Sequence, residues 1–333
     1  SALVSAPACL VFHTAVAGLD AARAVLLTPD AGFAFVAAER RNKDKDTVRF
    51  GVHRISLRDD KARCFLASRH TMPIRDIALL GDRMLVTAGG DRQCILTHID
   101  SGNFIAAVLA PLGILSLTTV PGNEHLVVLG LAKATLAVYD ARRPAEPVLL
   151  QAGCFPQPGP ITAVAAAVDG VVVLAGPTGL AAVLVAEDED QDEDEDVVVV
   201  RDSFASEPVF VPKASPVAQL SGPLGLPKGA SVAGLSYDAE EDRFVAVVRS
   251  PQATTRLLVF RVRPVPLHAG EFDVQVLADA VASGSPQRFR PACLGDDAVI
   301  GVDGQTNQVE LVPAGRGRGA PLRLAPHPSG SGG

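Results

Sequence analysis

The strongest constraint on this chain is internal: residues 73 to 151 hold one 40-residue pattern twice in succession. The first copy runs Pro73–Leu109 and the second Gly113–Gln151, with Ile74 aligned on Ile114, Leu96 on Leu136 and Asp100 on Asp140. Each copy holds four apolar runs parted by turn residues such as Gly81-Asp82, Gly89-Gly90-Asp91 and Pro121-Gly122-Asn123. Short Val/Ile/Leu/Thr runs between Gly, Asp, Asn and Pro clusters signal consecutive β-strands joined by hairpins. Four strands per roughly 40–45 residues is the period of a propeller blade. The expected fold is all-β, a β-propeller of six to seven four-stranded blades.

A chain of 333 residues is long for one ordinary core. A propeller escapes that limit because each blade buries its faces against two neighbours. No long segment keeps a 3.6-residue apolar rhythm, which argues against major helices. No stretch reaches the roughly 18 unbroken apolar residues of a membrane span, and the N-terminus lacks the basic-then-apolar order of a signal peptide.

The rest of the chain divides on the same rhythm. Residues 8–16 form an isolated strand, expected to close the ring by pairing with the last blade and so remove open sheet edges. Blade one spans about 22–70, with a polar loop from Arg40 to Asp46 that cannot be buried. Blades two and three are the repeats. Blade four starts at Pro160, and three segments compete for its outer strand: DVVVVRD, EPVFVPK and PVAQL. Blade five covers 230–279, and a further blade runs from about Phe289. One propeller domain is thus expected over 1–326, with a flexible tail at 327–333.

Glu187–Asp196 carries nine of the 37 acids, leaving 28 against 30 Lys and Arg, so the formal net charge of −7 belongs to this insertion. Such a run repels itself and stays solvated. Two readings stand for it, a disordered hairpin loop and a docking strip for a basic partner. The five cysteines are scattered and odd in number, without the paired spacing of zinc sites. No metal or cofactor is expected, and a reduced, cytosolic or nuclear compartment fits best. Cys64, Cys94 and Cys293 fall in strand runs as buried thiols.

At SRHTMPIRDIALL, LVTAGGDRQ and LVVLGLAKATLAVYDARRP the chain resembles divergent WD-repeat proteins. The Gly-His of that family is reduced to Arg69-His70, and its Trp-Asp to Tyr139-Asp140 and, loosely, Ile99-Asp100. Its tight-turn Asp is present at Asp91 and absent from Leu131-Ala132-Lys133. In that family the His and Asp bond to each other and lock the turn, which gives His70 a structural role. The order of Gly130–Arg142, the opening ARAVLLTPDAGFAFVAAE and Thr254-Thr255-Arg256-Leu257 is similar to the C-terminal propeller of the RING finger and WD-repeat ubiquitin ligases. Those ligases act on replication protein A in the DNA-damage response, so the resemblance implies a nuclear substrate-recognition part without the catalytic RING.

No nucleophile elbow, phosphate loop or triad frame is present, so no catalytic residue is expected. Two surfaces could bind a partner. One propeller face would gather Met72, Arg92, Leu112, Lys133, Phe155 and Arg249, a mix of apolar anchors and cations suited to an acidic amphipathic peptide. On the other, Asp140 and Arg142 sit where WD-repeat receptors carry an Asp-x-Arg pair for the adaptor of cullin–RING ligases. The local alternative is a turn-capping Asp with a solvated Arg. With two Tyr, no Trp and a near-neutral body, direct nucleic-acid binding is disfavoured.

Overall fold

A computed structural model describes residues 21–28, 33–42, 47–56, 63–142, 148–151, 159–176, 179–187, 212–214, 217–239, 241–251, 255–266, 268, 270–282, 292–294, 298–302, 309–313 and 322–323. These residues form six antiparallel sheets, each a meander in chain order. Sheet one holds β1 (Ala21–Leu27), β2 (Phe33–Asn42), β3 (Thr47–Ser56) and β4 (Arg63–Ala67). Sheet two holds β5 (Ile74–Leu80), β6 (Met84–Gly89), β7 (Gln93–His98) and β8 (Phe104–Leu109). Sheet three repeats it with β9 (Ile114–Thr119), β10 (Leu126–Leu131), β11 (Thr135–Asp140) and β12 (Val148–Gln151).

Sheet four is built from β13 (Ala163–Ala166), β14 (Val171–Gly176), β15 (Gly179–Glu187), β16 (Pro212–Ala214) and β17 (Ala218–Gln219). Sheet five holds β18 (Ser231–Asp238), β19 (Arg243–Arg249), β20 (Thr255–Pro264) and β21 (Phe272–Ala282). Sheet six comprises β22 (Ala292–Leu294), β23 (Ala298–Val302), β24 (Val309–Pro313) and β25 (Leu322–Arg323).

The sheets stack face to face in chain order, and the two-residue side-chain period explains how. In β10, Leu126 and Val128 join the core shared with sheet four, while Val127, Leu129 and Leu131 join the core shared with sheet two. All six β10 residues are therefore buried. Four such cores lie between sheets one and two, two and three, three and four, and four and five. The first strands β1, β5, β9, β13, β18 and β22 touch in succession, the arrangement of propeller blades. Polar bonds join neighbours too: the Leu117 N–H donates to Asp76 at 3.0 Å, and the Thr119 hydroxyl to the Leu79 carbonyl at 2.6 Å.

The structure corrects two sequence readings and resolves a third that the sequence left open. Arg40, Arg41 and Asn42 are not loop; they extend β2 and pair with Arg49, Val48 and Thr47. Those partners are exposed, so a strand through polar residues costs no burial there. The outer strand of sheet four comes from two of the three candidate segments, Pro212–Ala214 pairing Val185–Glu187 and Ala218–Gln219 pairing Ala181 and Ala182. Finally, Asp100 and Asp140 are not equivalent. Asp140 is buried at the end of β11, whereas β7 stops at His98 and leaves the Asp100 side chain 77% exposed against Arg54, at 2.9 Å.

The closing strand at 8–16, the segment DVVVVRD and most of the acidic run lie outside the described residues. Replacing Glu187–Asp196 by a short Gly/Ser loop should leave chemical denaturation almost unchanged, because loop closure changes by only about 0.6 kcal/mol per doubling of length. A lost cooperative transition would mean that the run packs.

Candidate functional site

Each hairpin meander sends the loop before a first strand and the turn after a second strand to the same end of its sheet. Met72 and Leu112 precede β5 and β9; Arg92 and Lys133 sit in the β6–β7 and β10–β11 turns; Arg249 ends β19. The topology thus brings these five residues to one face. Phe155 lies outside the described residues. Met72 is 47% exposed, Arg92 and Lys133 are exposed, and Arg249 is half-buried. Leu112 is half-buried against the core between sheets two and three, so it is as much packing as anchor.

Arg92 and Lys133 share a further property. Their φ angles are 63° and 60°, in the left-handed region where a side chain costs about 1–2 kcal/mol relative to glycine. Two equivalent turns therefore hold cations where glycine would be easier to accommodate.

Beneath Arg92 lies a side-chain lock. The His70 Nδ1 is 3.0 Å from the Asp91 carboxylate and its Nε2 is 2.9 Å from the Thr87 hydroxyl. A carboxylate only accepts, so Nδ1–H donates to Asp91 and the neutral ring accepts from Thr87 at Nε2. Asp91 also receives the N–H groups of Thr71 at 2.8 Å and Gln93 at 3.2 Å. Burial pulls the His70 pKa below its ordinary value, against the opposing effect of Asp91. Burial alone would raise Asp91, but the bond from Thr71, the His70 contact and the bond from Gln93 together hold it below the usual carboxylate range. This is the His–Asp bond that the WD-repeat resemblance implies.

The sign of the pH effect follows. Both folded pKa values are depressed, so the stabilisation is complete above the unfolded His value of 6.5 and declines as pH falls. The His70 part goes first, between 6.5 and its lower folded value, and the Asp91 part goes below 3.8. His70→Gln should flatten the first segment of a stability–pH curve measured by urea denaturation. An unchanged slope would remove His70 from the lock.

Sheet three lacks the turn Asp and is held from the next blade instead. The Ser116 hydroxyl donates to the Ile161 carbonyl at 3.2 Å, the Ile161 N–H to Leu131 at 3.0 Å, and the Ala134 N–H to Gly159. Sequence reading missed Thr87 and Ser116, because a hydroxyl within an apolar strand run looks like ordinary strand composition.

Asp140 and Arg142 lie at the opposite end, since Asp140 pairs with Leu126 at the start of β10. Asp140 caps its turn by accepting the Arg142 N–H at 2.8 Å, as the local alternative requires. Arg142 is exposed, as that alternative expects, and also returns its guanidinium to the Asp140 carboxylate at 2.7 and 3.0 Å. Burial raises the Asp140 pKa, and the bonds from Arg142 outweigh it and lower it.

Cys94 is buried and its thiol is pushed up to about 12 by burial, which leaves it protonated and inert. Cys64 and Cys293 side chains lie outside the description. His53 lies against Phe65 with centroids 4.8 Å apart and the rings tilted by 47°, and His98 accepts the Asp100 N–H at 3.3 Å. Among the described residues no three His, Cys, Asp or Glu gather as metal ligands, and no helix is long and apolar enough to cross a membrane.

A search of protein-family models finds no match, and none of the curated proteins matches either. Solved structures do. One chain in a structure described as "Crystal Structure of Mitotic Checkpoint Complex" superposes with a TM-score of 0.55 at 10% identity, covering 87% of this chain and 75% of that one. The likeness is one of fold. In all, 1288 chains of solved structures match, so the architecture is widespread and selects no single activity.

Proposed function

We propose that this chain is a WD-repeat-like protein-recognition propeller with no catalysis of its own, and that the face bearing Met72, Arg92 and Lys133 takes an acidic, amphipathic protein segment. The observation that carries the reading is the pair of exposed cations held in left-handed turns of two successive blades, beside an exposed methionine. An apolar anchor supplies binding energy and flanking charges supply orientation and encounter rate. The finer reading rests on the sequence resemblance: a substrate-recognition part of a RING-type ubiquitin ligase, with replication protein A as the partner in the nucleus.

The contrasting reading is docking on a cullin-ligase adaptor through Asp140 and Arg142. It would have to draw Arg142 out of its pair with Asp140. Dissociation of purified replication protein A from the immobilised propeller tests the preferred reading. Met72→Ala should speed dissociation about 5- to 30-fold, the loss of roughly 1–2 kcal/mol expected of an anchor. Unchanged dissociation would remove Met72 from the interface.

A further inference from the structure

The outer strand of sheet two, β8, is unlike the others. Among the described residues it is the one outer strand without a polar side chain; β4, β12, β16, β17, β21 and β25 each carry at least one, such as Arg63, Lys213 or Asp273. Phe104, Ile105 and Leu109 are 38%, 47% and 65% exposed, and no other strand bares more than one large apolar side chain among the described residues. Outer strands ordinarily carry charge or Pro, because their free backbone edge invites a further strand. β8 has neither. A bulge at Ile105 breaks its ladder at one end, but residues 106–109 pair in unbroken register with 93–96. The Ala110 N–H donates to the Arg92 carbonyl at 2.8 Å. Inward and outward groups alternate along an antiparallel ladder, so Val108 and Ala106 bond to β7 and the backbone groups of Ala107 and Leu109 face outward. Among the described residues no strand takes them up.

The charge around this edge selects its occupant. The Arg69 guanidinium lies 3.8 Å over the Phe104 ring at one end, and the exposed Arg92 borders Ala110 at the other. Neither arginine has an acidic partner among the described residues. The acids in the two flanking turns are already engaged, Asp100 with Arg54 at 2.9 Å and Asp91 with His70 at 3.0 Å. Two copies joined edge to edge through antiparallel β8 strands would set Arg69 of one beside Arg92 of the other, like against like at both ends. We propose that β8 instead docks an acidic, extended protein segment, which adds to sheet two as a fifth strand. Main-chain bonds to Ala107 and Leu109 hold it, its apolar side chains pack on Phe104 and Leu109, and its acids reach Arg69 and Arg92. Phe104 and Leu109 share one sheet face, since their β7 partners Thr97 and Gln93 are four residues apart. This edge is distinct from the face bearing Met72 and Lys133, with Arg92 at the corner between them, and the proposal stands without that face's ligand.

Two synthetic peptides of equal length serve as probes, one alternating Val with Glu and one alternating Val with Lys. Titrations by fluorescence anisotropy should give the Val/Glu peptide a dissociation constant at least about tenfold below that of the Val/Lys peptide. Ala107→Pro removes one outward N–H, a change that edge strands tolerate, and should weaken the Val/Glu peptide about tenfold or more at an unchanged melting temperature. Leu109→Glu, at the most exposed position of the strand, should weaken it as much. Met72→Ala should leave it unchanged. Equal affinity for the two peptides, or no binding of either, would overturn the proposal. So would Val/Glu binding that survives Leu109→Glu, or Ala107→Pro in a protein that melts as the parent does. Binding lost in Met72→Ala alone would place the peptide on the cationic face and overturn it too. A parent that sediments as a dimer and a Leu109→Glu variant that sediments as a monomer would assign the edge to a second copy, and would overturn it as well.

Discussion

Gly89→Ala should cost about 3 kcal/mol or more of folding free energy, while Gly90→Ala, one residue on, should cost about 1 kcal/mol or less. A methyl group at Gly89 would overlap both the His70 Nδ1 and an Asp91 carboxylate oxygen, the two atoms that bond to each other. Neither group can retreat, because the His70 and Asp91 side chains are 0% and 5% exposed. Breaking their contact strands buried polar groups, whose desolvation is then uncompensated. At Gly90 the nearest atom to a new methyl is the Met72 Cβ at 3.4 Å, an ordinary contact, and no left-handed φ is involved. Urea denaturation of the two variants gives the comparison directly. Equal stabilities would mean that the lock contributes nothing.

Deletion of residues 1–17 should cost more, on the order of 5 kcal/mol, by removing a strand with about four apolar side chains and baring two sheet edges. The expectation comes from the ACLVFHTAV run at 8–16 and from the succession of first-strand contacts from β1 to β22, which an added strand would close into a ring. The truncated protein should melt well below the parent and aggregate on heating. A truncation that melts like the parent would show that residues 8–16 do not complete the last blade.

The blade rhythm was legible because each run of four to ten apolar residues ended in a residue that strands avoid, such as Gly81, Pro121 or Gly170. Three of these Gly-containing turns do need a left-handed glycine, at Gly81, Gly122 and Gly170. His70 and Asp91 were legible because their spacing follows a family pattern. Gly89 was read only as a turn residue, since nothing in a sequence reveals that two buried side chains cross over its Cα. The alignment of Asp100 with Asp140 failed for a related reason. Identical spacing cannot tell a strand that continues through the Asp, as β11 does, from one that has already turned, as β7 has. The double outer strand of sheet four was hidden by the insertion, which separates β15 from its partners by more than twenty residues. Of the face proposed for binding, residue positions could be read from the turns, but the left-handed strain at Arg92 and Lys133 could not.

Association kinetics decide whether an acidic partner is recognised through the proposed cationic face. Purified replication protein A would be bound to the parent, to Arg92→Glu/Lys133→Glu and to Asp140→Ala/Arg142→Ala at several salt concentrations. Charge reversal on the proposed face should slow association roughly tenfold or more at low salt and flatten its salt dependence, since exposed rim charges act mainly on encounter. The Asp140/Arg142 variant should bind as the parent does. Loss of binding in the Asp140/Arg142 variant, with Arg92→Glu/Lys133→Glu unaffected, would contradict the account and transfer function to the opposite face.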